Sequence, residues 1–567
     1  MRRANRKIKN FLEDWRFYFI FFVFFSLTIA IILRFYNLQI LKYRTFSVQA
    51  ASQVQTKQSN WQYLRGKIYF QDKNHQLIPV AINKDFLRLY AVPKEIKNPA
   101  TTAQTIANLL ETPTGELEKK FSQSNSLFAL IQKKIDPSLA KKIKDLKLDG
   151  IYLDEITGRF YPYQTLASQV LGYVKDDEQD FRGQYGLEKY YEGYLSAANQ
   201  PKNIFDFLSL SDILFSRHNF DLVSTIDYNI QSKADNLLQK AVEDWGAASG
   251  NIIVMEPKTG RLLALANFPD FDPNNYSKYP IENFINPAVE LTYEPGSVFK
   301  VITIAAGLEN KKLTPQTEYY DSGSVEVGGE IIRNWDLKAH GTQTMTGVLG
   351  LSLNTGAVYA EKLMGHDLFH QFVLNSGINQ KTGVDLPGEV KGDVKNLQGF
   401  QDIYFATASF GQGITVTPLG LLDAIAAVAN KGVMMKPYII DKMINADNNK
   451  EEAFSPQERG RILSEENARL LRIMLVKAVD TNQVAAIKGY QVAGKTGTAQ
   501  VADANGAYSQ DTTHSFIGFA PAENPRFIIL VKMDKPQKAK LAGATVIPVF
   551  RELAEFILNY YEIPPSL

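Results

Sequence analysis

The apolar positions of residues 221–567 alternate between two spacings along the chain. Runs of strand-like apolar residues, each bounded by turn residues, lie at 251–255, 261–266, 490–500, 514–519 and 526–532. The first two runs flank a Pro/Gly turn and therefore predict a hairpin. Helical spacing follows Asp227, which is suited to cap a helix, and returns at 546–561. We therefore predict an α+β domain in which one five-stranded antiparallel sheet is flanked by helices.

Between these strands lies a predicted helix that is apolar almost all round. Behind a Pro-Gly break, residues 298–306 are apolar except at Lys300 and Thr303, which continue a polar line from Ser297 at positions i, i+3 and i+6. Such a helix is expected in a core, where burial lowers the pKa of a lysine so that it can take a serine proton. Ser-x-x-Lys alone is a common surface pair, but these apolar surroundings favour Ser297 as a nucleophile.

Two further motifs carry polar side chains at suggestive places. Ser352–Asn354 (Ser-Leu-Asn) places a hydroxyl and an amide two residues apart at a predicted break between helices. Lys495–Thr498 (Lys-Thr-Gly-Thr) lies in a strand-like run, where Gly497 would let a ligand approach the backbone closely. Lys495 and the hydroxyls of Thr496 and Thr498 can hold a carboxylate. Taken alone, each motif is also an ordinary turn sequence.

The amino-terminal end predicts a membrane anchor. Residues 17–33 are an uncharged apolar run, and six Lys or Arg residues precede it. The run is near the lower length limit for a spanning helix, and the basic residues predict a cytoplasmic amino terminus. A cleaved signal peptide is the alternative, but its apolar core would be shorter and a small-residue cleavage site should follow. We predict a cytoplasmic tail at 1–16, a transmembrane helix at 17–36 and all later residues outside.

Residues 37–220 show no concentrated chemistry and predict a mixed α/β pedestal. A polar, helix-like stalk at 39–58 precedes two short strands within 65–80. Short helices at 101–110 and 114–121 each begin at a threonine, which we take as the cap. The predicted domains are therefore a pedestal of the dimerisation type at 37–220 and a catalytic domain at 221–567.

Composition excludes several classes of function. The chain of 567 residues has no cysteine, so disulfides, thiolate metal sites and a cysteine nucleophile are excluded. Its six histidines form no zinc-hydrolase motif, and a net charge of +2 gives no reason to expect nucleic acid as a partner. Neither a metal nor an organic cofactor is expected.

Together the three motifs are specific. The combination of Ser-x-x-Lys at Ser297–Lys300, Ser-x-Asn at Ser352–Asn354 and Lys-Thr-Gly at Lys495–Gly497 resembles the penicillin-binding proteins. With the anchor and pedestal, the chain resembles class B members, the monofunctional D,D-transpeptidases of peptidoglycan synthesis. Leu353 departs from the Ser or Asp that other members carry in the second motif, although both end residues are present.

The resemblance implies a substrate, a mechanism and partners. The substrate would be a stem peptide ending in D-Ala-D-Ala, which Ser297 attacks with Lys300 as base, and β-lactams would acylate the same serine. Ser352 would relay a proton under the influence of Lys495, Asn354 would orient the donor amide, and the backbone N–H groups of Ser297 and Thr498 would form the oxyanion hole. Lys495, Thr496 and Thr498, around Gly497, would hold the terminal carboxylate. The partners would be a membrane glycan polymerase and proteins of the divisome or elongasome, at the bacterial cell (inner) membrane.

Three alternatives remain open at this point. A carboxypeptidase or β-lactamase shares the motifs but must deliver water to the acyl-enzyme. A β-lactam sensor would need a cytoplasmic effector domain, and only about sixteen residues are predicted inside. A chiefly scaffolding protein of the divisome or elongasome is the third. Septal and elongation roles both remain possible, with Asn354 slightly favouring the septal type.

Overall fold

The structure is a computed structural model that describes residues 19–29, 31, 34, 65–123, 125–175, 181–196, 219–446, 448–482, 485–502 and 508–565. The chain divides into two compact units, Met1–Tyr63 and Leu64–Leu567. In the first unit, residues 19–29 are helical and their side chains are exposed. Among the described residues, no helix is both long and apolar enough to cross a membrane. The predicted tail and stalk, and part of the predicted anchor, lie outside the described residues.

The second unit begins with a sheet and short helices. Its strands up to residue 227 are β1 (Ile68–Gln71), β2 (Leu77–Ala91), β3 (Ala129–Ile135), β4 (Ile151–Phe160), β5 (Tyr173–Val174), β6 (Gly183–Gln184) and β7 (Phe220–Asp227). Its helices are α1 (Pro99–Leu110), α2 (Thr114–Phe121), α3 (Pro137–Asp145), α4 (Ser168–Leu171), α5 (Gly186–Tyr190) and α6 (Glu192–Leu195). A mixed α/β arrangement is therefore present here, as the sequence predicts.

Two details of this region differ from the sequence prediction. The second strand continues to Ala91, because its later half pairs with both β3 and β4. The threonine caps are wrong: α1 begins at Pro99 after Asn98, and α2 follows Pro113, with no side-chain cap hydrogen bond at either start. Pro99 starts α1 two residues early because a proline at the first helical position lacks only an N–H that has no partner there anyway.

The sheet of this region does not end at residue 220. Its main strand order is β16-β15-β7-β1-β2-β3, with β4 also paired to β2. The strands β15 (Ile440–Asn445) and β16 (Glu451–Ala453) come from the second half of the chain, and β7 pairs with β1 in parallel. One continuous sheet therefore joins the pedestal to the later residues, and the boundary at 220 stays a prediction.

Three charged side chains are buried at the heart of the pedestal. Glu188 is fully buried and lies 2.8 Å from Arg65 Nη2 through Oε2 and 2.6 Å from Arg159 Nε through Oε1. Tyr161 donates a further hydrogen bond to Glu188 at 3.1 Å. Burial alone would raise the pKa of Glu188, but the two guanidinium charges outweigh it and lower the pKa. Glu192 supplies the second negative charge, because its Oε2 lies 2.8 Å from Arg65 Nη2, so two carboxylates balance the two guanidinium groups, which is the condition for burying them.

The remaining elements form the rest of the second unit. The strands are β8 (Ser249–Met255), β9 (Leu262–Phe268), β10 (Glu318–Asp321), β11 (Ser324–Val327), β12 (Glu330–Arg333), β13 (Gly341–Thr344), β14 (Val433–Met435), β17 (Glu458–Arg461), β18 (Ala493–Ala502), β19 (Tyr508–Ala520) and β20 (Phe527–Asp534). The helices are α7 (Tyr228–Trp245), α8 (Pro287–Glu290), α9 (Lys300–Glu309), α10 (Met345–Leu351), α11 (Asn354–Met364), α12 (His366–Asn375), α13 (Asp402–Ala408), α14 (Pro418–Ala429), α15 (Glu465–Asn482) and α16 (Ala542–Tyr560).

The predicted five-stranded sheet is present. Its order is β18-β19-β20-β8-β9, with every neighbouring pair antiparallel. Alternate residues of each strand point to opposite faces. Ile252 and Val254 pack against α7 and α16, whereas Ile253 and Met255 belong to the core around α9. Asp227 caps α7 as predicted, accepting hydrogen bonds from the backbone N–H groups of Asn229 and Ile230.

Candidate active site

Ser297 lies in a tight turn that leads directly into the central helix. Gly296–Phe299 is one 3-10 turn, and α9 begins at Lys300. Gly296 has φ +55°, a conformation that favours glycine, and its N–H donates to the Gly411 carbonyl at 3.0 Å. A Cβ on Gly411 would lie 2.2 Å from the Gly296 carbonyl oxygen, so only glycine permits this approach. Ser297 itself is half-buried, whereas Lys300 is completely buried. The nucleophile is therefore accessible and its partner is not.

The Lys300 amine joins the first two motifs. Its Nζ lies 3.0 Å from Ser297 Oγ, 2.7 Å from the Ser352 carbonyl oxygen and 2.8 Å from Asn354 Oδ1. The predicted break between helices is present, because α10 ends at Leu351 and α11 begins at Asn354, with Ser352 in the left-handed conformation. The break turns the Ser352 carbonyl and the Asn354 side chain towards the same amine. The structure therefore brings both ends of the second motif to Lys300, and their catalytic roles stay predictions.

The hydrogen bonds around Lys300 determine where its lone pair points. The Asn354 Nδ2 donates to the Arg333 carbonyl at 2.9 Å, which fixes Oδ1 as the atom that faces Lys300. The Asn354 Oδ1 and the Ser352 carbonyl can only accept hydrogen bonds. A neutral amine has two N–H groups for these two acceptors, so its remaining lone pair faces the Ser297 hydroxyl. The arrangement is that of a general base on a serine nucleophile.

Lys495 reaches the same site from the edge strand β18. Its Nζ donates to Ser352 Oγ at 2.9 Å, and Ser352 Oγ lies 3.4 Å from Lys300 Nζ. The four side chains therefore form a continuous chain: Ser297, Lys300, Ser352, Lys495. A proton taken from Ser297 can pass along this chain to a leaving group without crossing solvent.

Burial sets the protonation of the two lysines. Burial lowers the pKa of Lys300 well below its usual value, and the charge of Lys495 lowers it further. Burial lowers the pKa of Lys495 to about 7. Among the described residues, neither amine has a carboxylate within ion-pairing distance. Both shifts favour the neutral form of Lys300 over that of an exposed lysine, and the neutral form is the one that a general base requires.

The third motif packs directly on the serine turn. A Cβ on Gly497 would lie 2.4 Å from Ser515 Oγ and 2.8 Å from Val298 Cγ2, so the space beside this glycine is filled by the protein. The structure thus gives a packing reason for the glycine, and ligand approach at this position stays a prediction. Thr496 and Thr498 are each half-buried, and the Lys495 amine reaches Thr496 Oγ1 at 3.3 Å. Their roles towards a carboxylate also stay predictions.

The sequence pattern placed Thr303 beside the catalytic candidates, and it gave no sign of a buried polar cluster next to Asn354. Thr303, the third residue of the polar line, donates to the Ser409 carbonyl at 2.7 Å inside the core and contacts no reacting group. Asp321, Asn334 and Thr355 form a buried cluster beside Asn354 that sequence reasoning missed. No spacing pattern joins these three positions, because they come from a strand, a loop and a helix. Within the described residues, no group of three or more His, Asp or Glu side chains is placed to hold a metal ion.

The fold places a serine and a buried lysine amine in contact, an arrangement that suits serine acyl transfer with lysine as base. Comparison with known sequences agrees. The penicillin binding protein transpeptidase domain matches residues 250–555, and the penicillin-binding protein dimerisation domain matches residues 62–205. The chain belongs to the penicillin-binding protein transpeptidase family.

Several individual proteins resemble most of the chain. Stage V sporulation protein D of Bacillus subtilis is 33% identical over 496 residues, covering 85% of this chain and 76% of that protein. The probable peptidoglycan D,D-transpeptidase PenA of Neisseria meningitidis is 32% identical over 494 residues, covering 84% of this chain and 82% of that protein. Penicillin-binding protein 3 of Mycobacterium tuberculosis, solved in complex with aztreonam, superposes with a TM-score of 0.68 at 26% identity, covering 89% of this chain and 98% of that one.

Proposed function

We propose that this protein is a peptidoglycan D,D-transpeptidase that crosslinks stem peptides through an acyl-enzyme on Ser297 and is acylated by β-lactams at the same residue. The observation that carries the proposal is the Lys300 amine. Its Nζ lies 2.7 Å from the Ser352 carbonyl oxygen and 2.8 Å from Asn354 Oδ1, which only accept, and 3.0 Å from Ser297 Oγ, so the neutral amine has its lone pair left for the Ser297 hydroxyl. Relatives named as D,D-transpeptidases and a structural relative solved with a β-lactam support the same reaction.

Acylation follows from this arrangement. Ser297 Oγ attacks the carbonyl carbon of the penultimate D-Ala while Lys300 takes the hydroxyl proton. The backbone N–H groups of Ser297 and Thr498 stabilise the negative oxygen of the tetrahedral intermediate. When the C–N bond breaks, the proton passes through Ser352 to the departing amine of the terminal D-Ala. Lys495 promotes this transfer, because it donates a hydrogen bond to the Ser352 hydroxyl at 2.9 Å.

Transfer to the acceptor completes the crosslink. The amine of a second stem peptide attacks the acyl-enzyme carbonyl and loses a proton to Lys300, which returns it to Ser297 Oγ as the ester C–O bond breaks. Asn354 orients the donor peptide amide, while Lys495, Thr496 and Thr498, around Gly497, hold the terminal carboxylate before the first step. The competing function is a hydrolase in which water replaces the acceptor amine.

A fluorescent penicillin tests the proposal. The wild-type protein should form a covalent adduct that adds the mass of one penicillin, and Ser297→Ala should form none. Labelling that persists in Ser297→Ala would contradict the proposal. The lifetime of the adduct then separates the two candidate functions, because a transpeptidase retains it whereas a β-lactamase turns it over rapidly. Incubation with a donor and an amine acceptor should yield the crosslinked peptide rather than only the free acid.

The setting of the enzyme is also a proposal. The uncharged run within 17–36 and the basic residues before it support a single membrane anchor with the tail 1–16 in the cytoplasm and the pedestal (37–220) and catalytic domain (221–567) outside. Phosphatase fused after residue 36 should be active outside the membrane, and phosphatase fused after residue 16 should be inactive. A glycan polymerase and the divisome or elongasome are the partners that fit this setting. A fluorescent fusion that forms a midcell band would indicate septal synthesis, and a lateral pattern would indicate elongation.

A further inference from the structure

A fully buried carboxylate lies beside the second motif. Asp321, the last residue of β10, has no exposed surface. Its Oδ1 accepts from Gly323 N at 3.0 Å and Thr355 Oγ1 at 2.8 Å, and its Oδ2 accepts from His340 N at 3.1 Å. The Asn334 Nδ2 donates to both oxygens, at 3.0 and 2.8 Å. All of these donors are neutral, so the charge is stabilised by oriented hydrogen bonds alone.

This carboxylate holds together two segments that are distant in sequence. Three consecutive residues, 333–335, each hydrogen-bond to the second motif or its neighbours. The Arg333 carbonyl accepts from Asn354 Nδ2 at 2.9 Å, Asn334 Oδ1 accepts from Thr355 N at 3.3 Å, and Trp335 Nε1 donates to the Leu351 carbonyl at 3.1 Å. Asp321 binds one residue of each segment: Asn334, the middle residue of 333–335, and Thr355, which directly follows the second motif.

Asn354 connects the cluster of Asp321, Asn334 and Thr355 to the Lys300 amine. Asn354 precedes Thr355, and its Oδ1 accepts a hydrogen bond from Lys300 Nζ at 2.8 Å. The direction of the Lys300 lone pair depends on that acceptor, as does its alignment with Ser297. A shift of Thr355 or of the Arg333 carbonyl would rotate the Asn354 amide and release the amine. Small displacements of this kind are costly to catalysis even when the fold is intact.

We propose that Asp321 is a positioning residue for acylation, which acts through Asn334 and Thr355 to hold Asn354 and, through Asn354, aligns the Lys300 amine with Ser297. The inference rests on the proposed function, because it concerns the same base and nucleophile. It explains why a carboxylate, and not an amide, stands at position 321: both oxygens face donors, and the NH₂ group of an asparagine would oppose one of them.

The decisive variant is Asp321→Asn in the full chain. Its rate constant for acylation by a fluorescent penicillin should fall about tenfold or more, the size expected when contacting residues of one network are uncoupled. The matched control is Asp385→Asn. Asp385 is another buried carboxylate held by neutral donors, the N–H groups of Ile439 and Ile440 and the Tyr191 hydroxyl, and none of these contacts the active site. Both variants should lower the melting temperature, but Asp385→Asn should change the acylation rate less than about threefold.

A double-mutant cycle separates positioning from a general loss of structure. If Asp321 acts through Asn354, Asp321→Asn should have little further effect in an Asn354→Ala background. A loss that is as large in that background as in the wild type would overturn the proposal. So would a folded Asp321→Asn protein that acylates at the wild-type rate.

The hydroxyl of Thr355 offers a second test if Asp321→Asn does not fold. Thr355→Val removes the hydrogen bond to Asp321 without a large change in volume, and acylation should fall about fivefold or more, the size of a lost hydrogen bond to a charged group. Thr355→Ser keeps the hydroxyl and should recover most of the rate. Equal rates for the two variants would overturn the proposal. In all cases, labelling of the wild type and its absence in Ser297→Ala test the proposed function separately.

Discussion

The pedestal and the active site both bury basic side chains, but the pedestal keeps them charged whereas the active site lowers their pKa. In the pedestal, Arg65 and Arg159 are buried against Glu188, and the pKa of that carboxyl is lowered, so all three groups are charged. In the active site, Lys300 and Lys495 are also buried but contact only hydroxyls, two backbone carbonyls and an amide among the described residues. Burial without a counter-charge lowers the pKa of both lysines. Arginine keeps its charge, so the pedestal needs carboxylates beside it, whereas a buried lysine without a carboxylate can lose its proton and act as a base.

The largest expected effect comes from removing the base itself. Lys300→Met keeps the apolar stem but supplies no lone pair to Ser297, so acylation by a fluorescent penicillin should slow about 10³-fold or more. Thr303→Val, one turn further along the same polar line, is the control and should acylate within about threefold of wild type. A Lys300→Met protein that acylates at a comparable rate would refute the assignment of this lysine.

The next effect should come from breaking the pedestal charges. Glu188→Gln leaves Arg159 buried without a full counter-charge, and the free energy of unfolding should fall by about 3–5 kcal/mol. Thermal or urea unfolding measures it, and the folded fraction should still react with penicillin at the wild-type rate. In the wild type, the lowered pKa of Glu188 means that its stabilisation is present above the usual carboxyl range and is lost as pH falls through the folded pKa. Acid unfolding should therefore begin at higher pH in Glu188→Gln.

A third change would give the active site the electrostatics of the pedestal. Asn354→Asp places a carboxylate where Oδ1 now lies 2.8 Å from Lys300 Nζ. An adjacent negative charge favours the protonated amine, so the rising limb of the pH–rate profile for acylation should move up by about 1–3 pH units. Asn354→Ala removes the same acceptor without adding charge and should not move the limb upwards. An unmoved limb in Asn354→Asp would contradict the role of charge in setting the Lys300 pKa.

The smallest expected effect is a gain in stability on removing a buried charge from the active site, opposite in sign to the loss expected from Glu188→Gln in the pedestal. Lys495 has a folded pKa of about 7, below that of an unfolded lysine, so its burial destabilises the protein fully below that pH, and the penalty fades as pH rises towards the unfolded pKa. Lys495→Met should therefore raise the free energy of unfolding by about 1–2 kcal/mol at pH 7 while slowing acylation. The gain should shrink as pH rises towards 10, where the lysine is neutral in both states. A loss of stability at pH 7 would show that Lys495 is held by compensating interactions.

Much of the catalytic domain can be predicted from local patterns. Short apolar runs bounded by turn residues identify the five strands of the sheet, because the central strands have one face in each core and are therefore apolar on both faces. The Asp227 cap follows from a side chain that can satisfy helix N–H groups locally. Helix starts are less predictable where two starts compete, as at Pro99, because local preferences there differ by little.

The sequence by itself determined the line of Ser297, Lys300 and Thr303 on one face of an apolar helix, because helical spacing needs no information from elsewhere in the chain. Only the tertiary structure decided which of these residues does chemistry. Ser352, Asn354 and Lys495 meet Lys300 because the break after α10 and the edge strand β18 bring them there, at distances no spacing rule specifies. No spacing rule indicates the contacts of Asp321 either, nor that no described carboxylate lies beside the two lysines. Charge compensation is a property of packed neighbours, and packed neighbours are set by the fold as a whole.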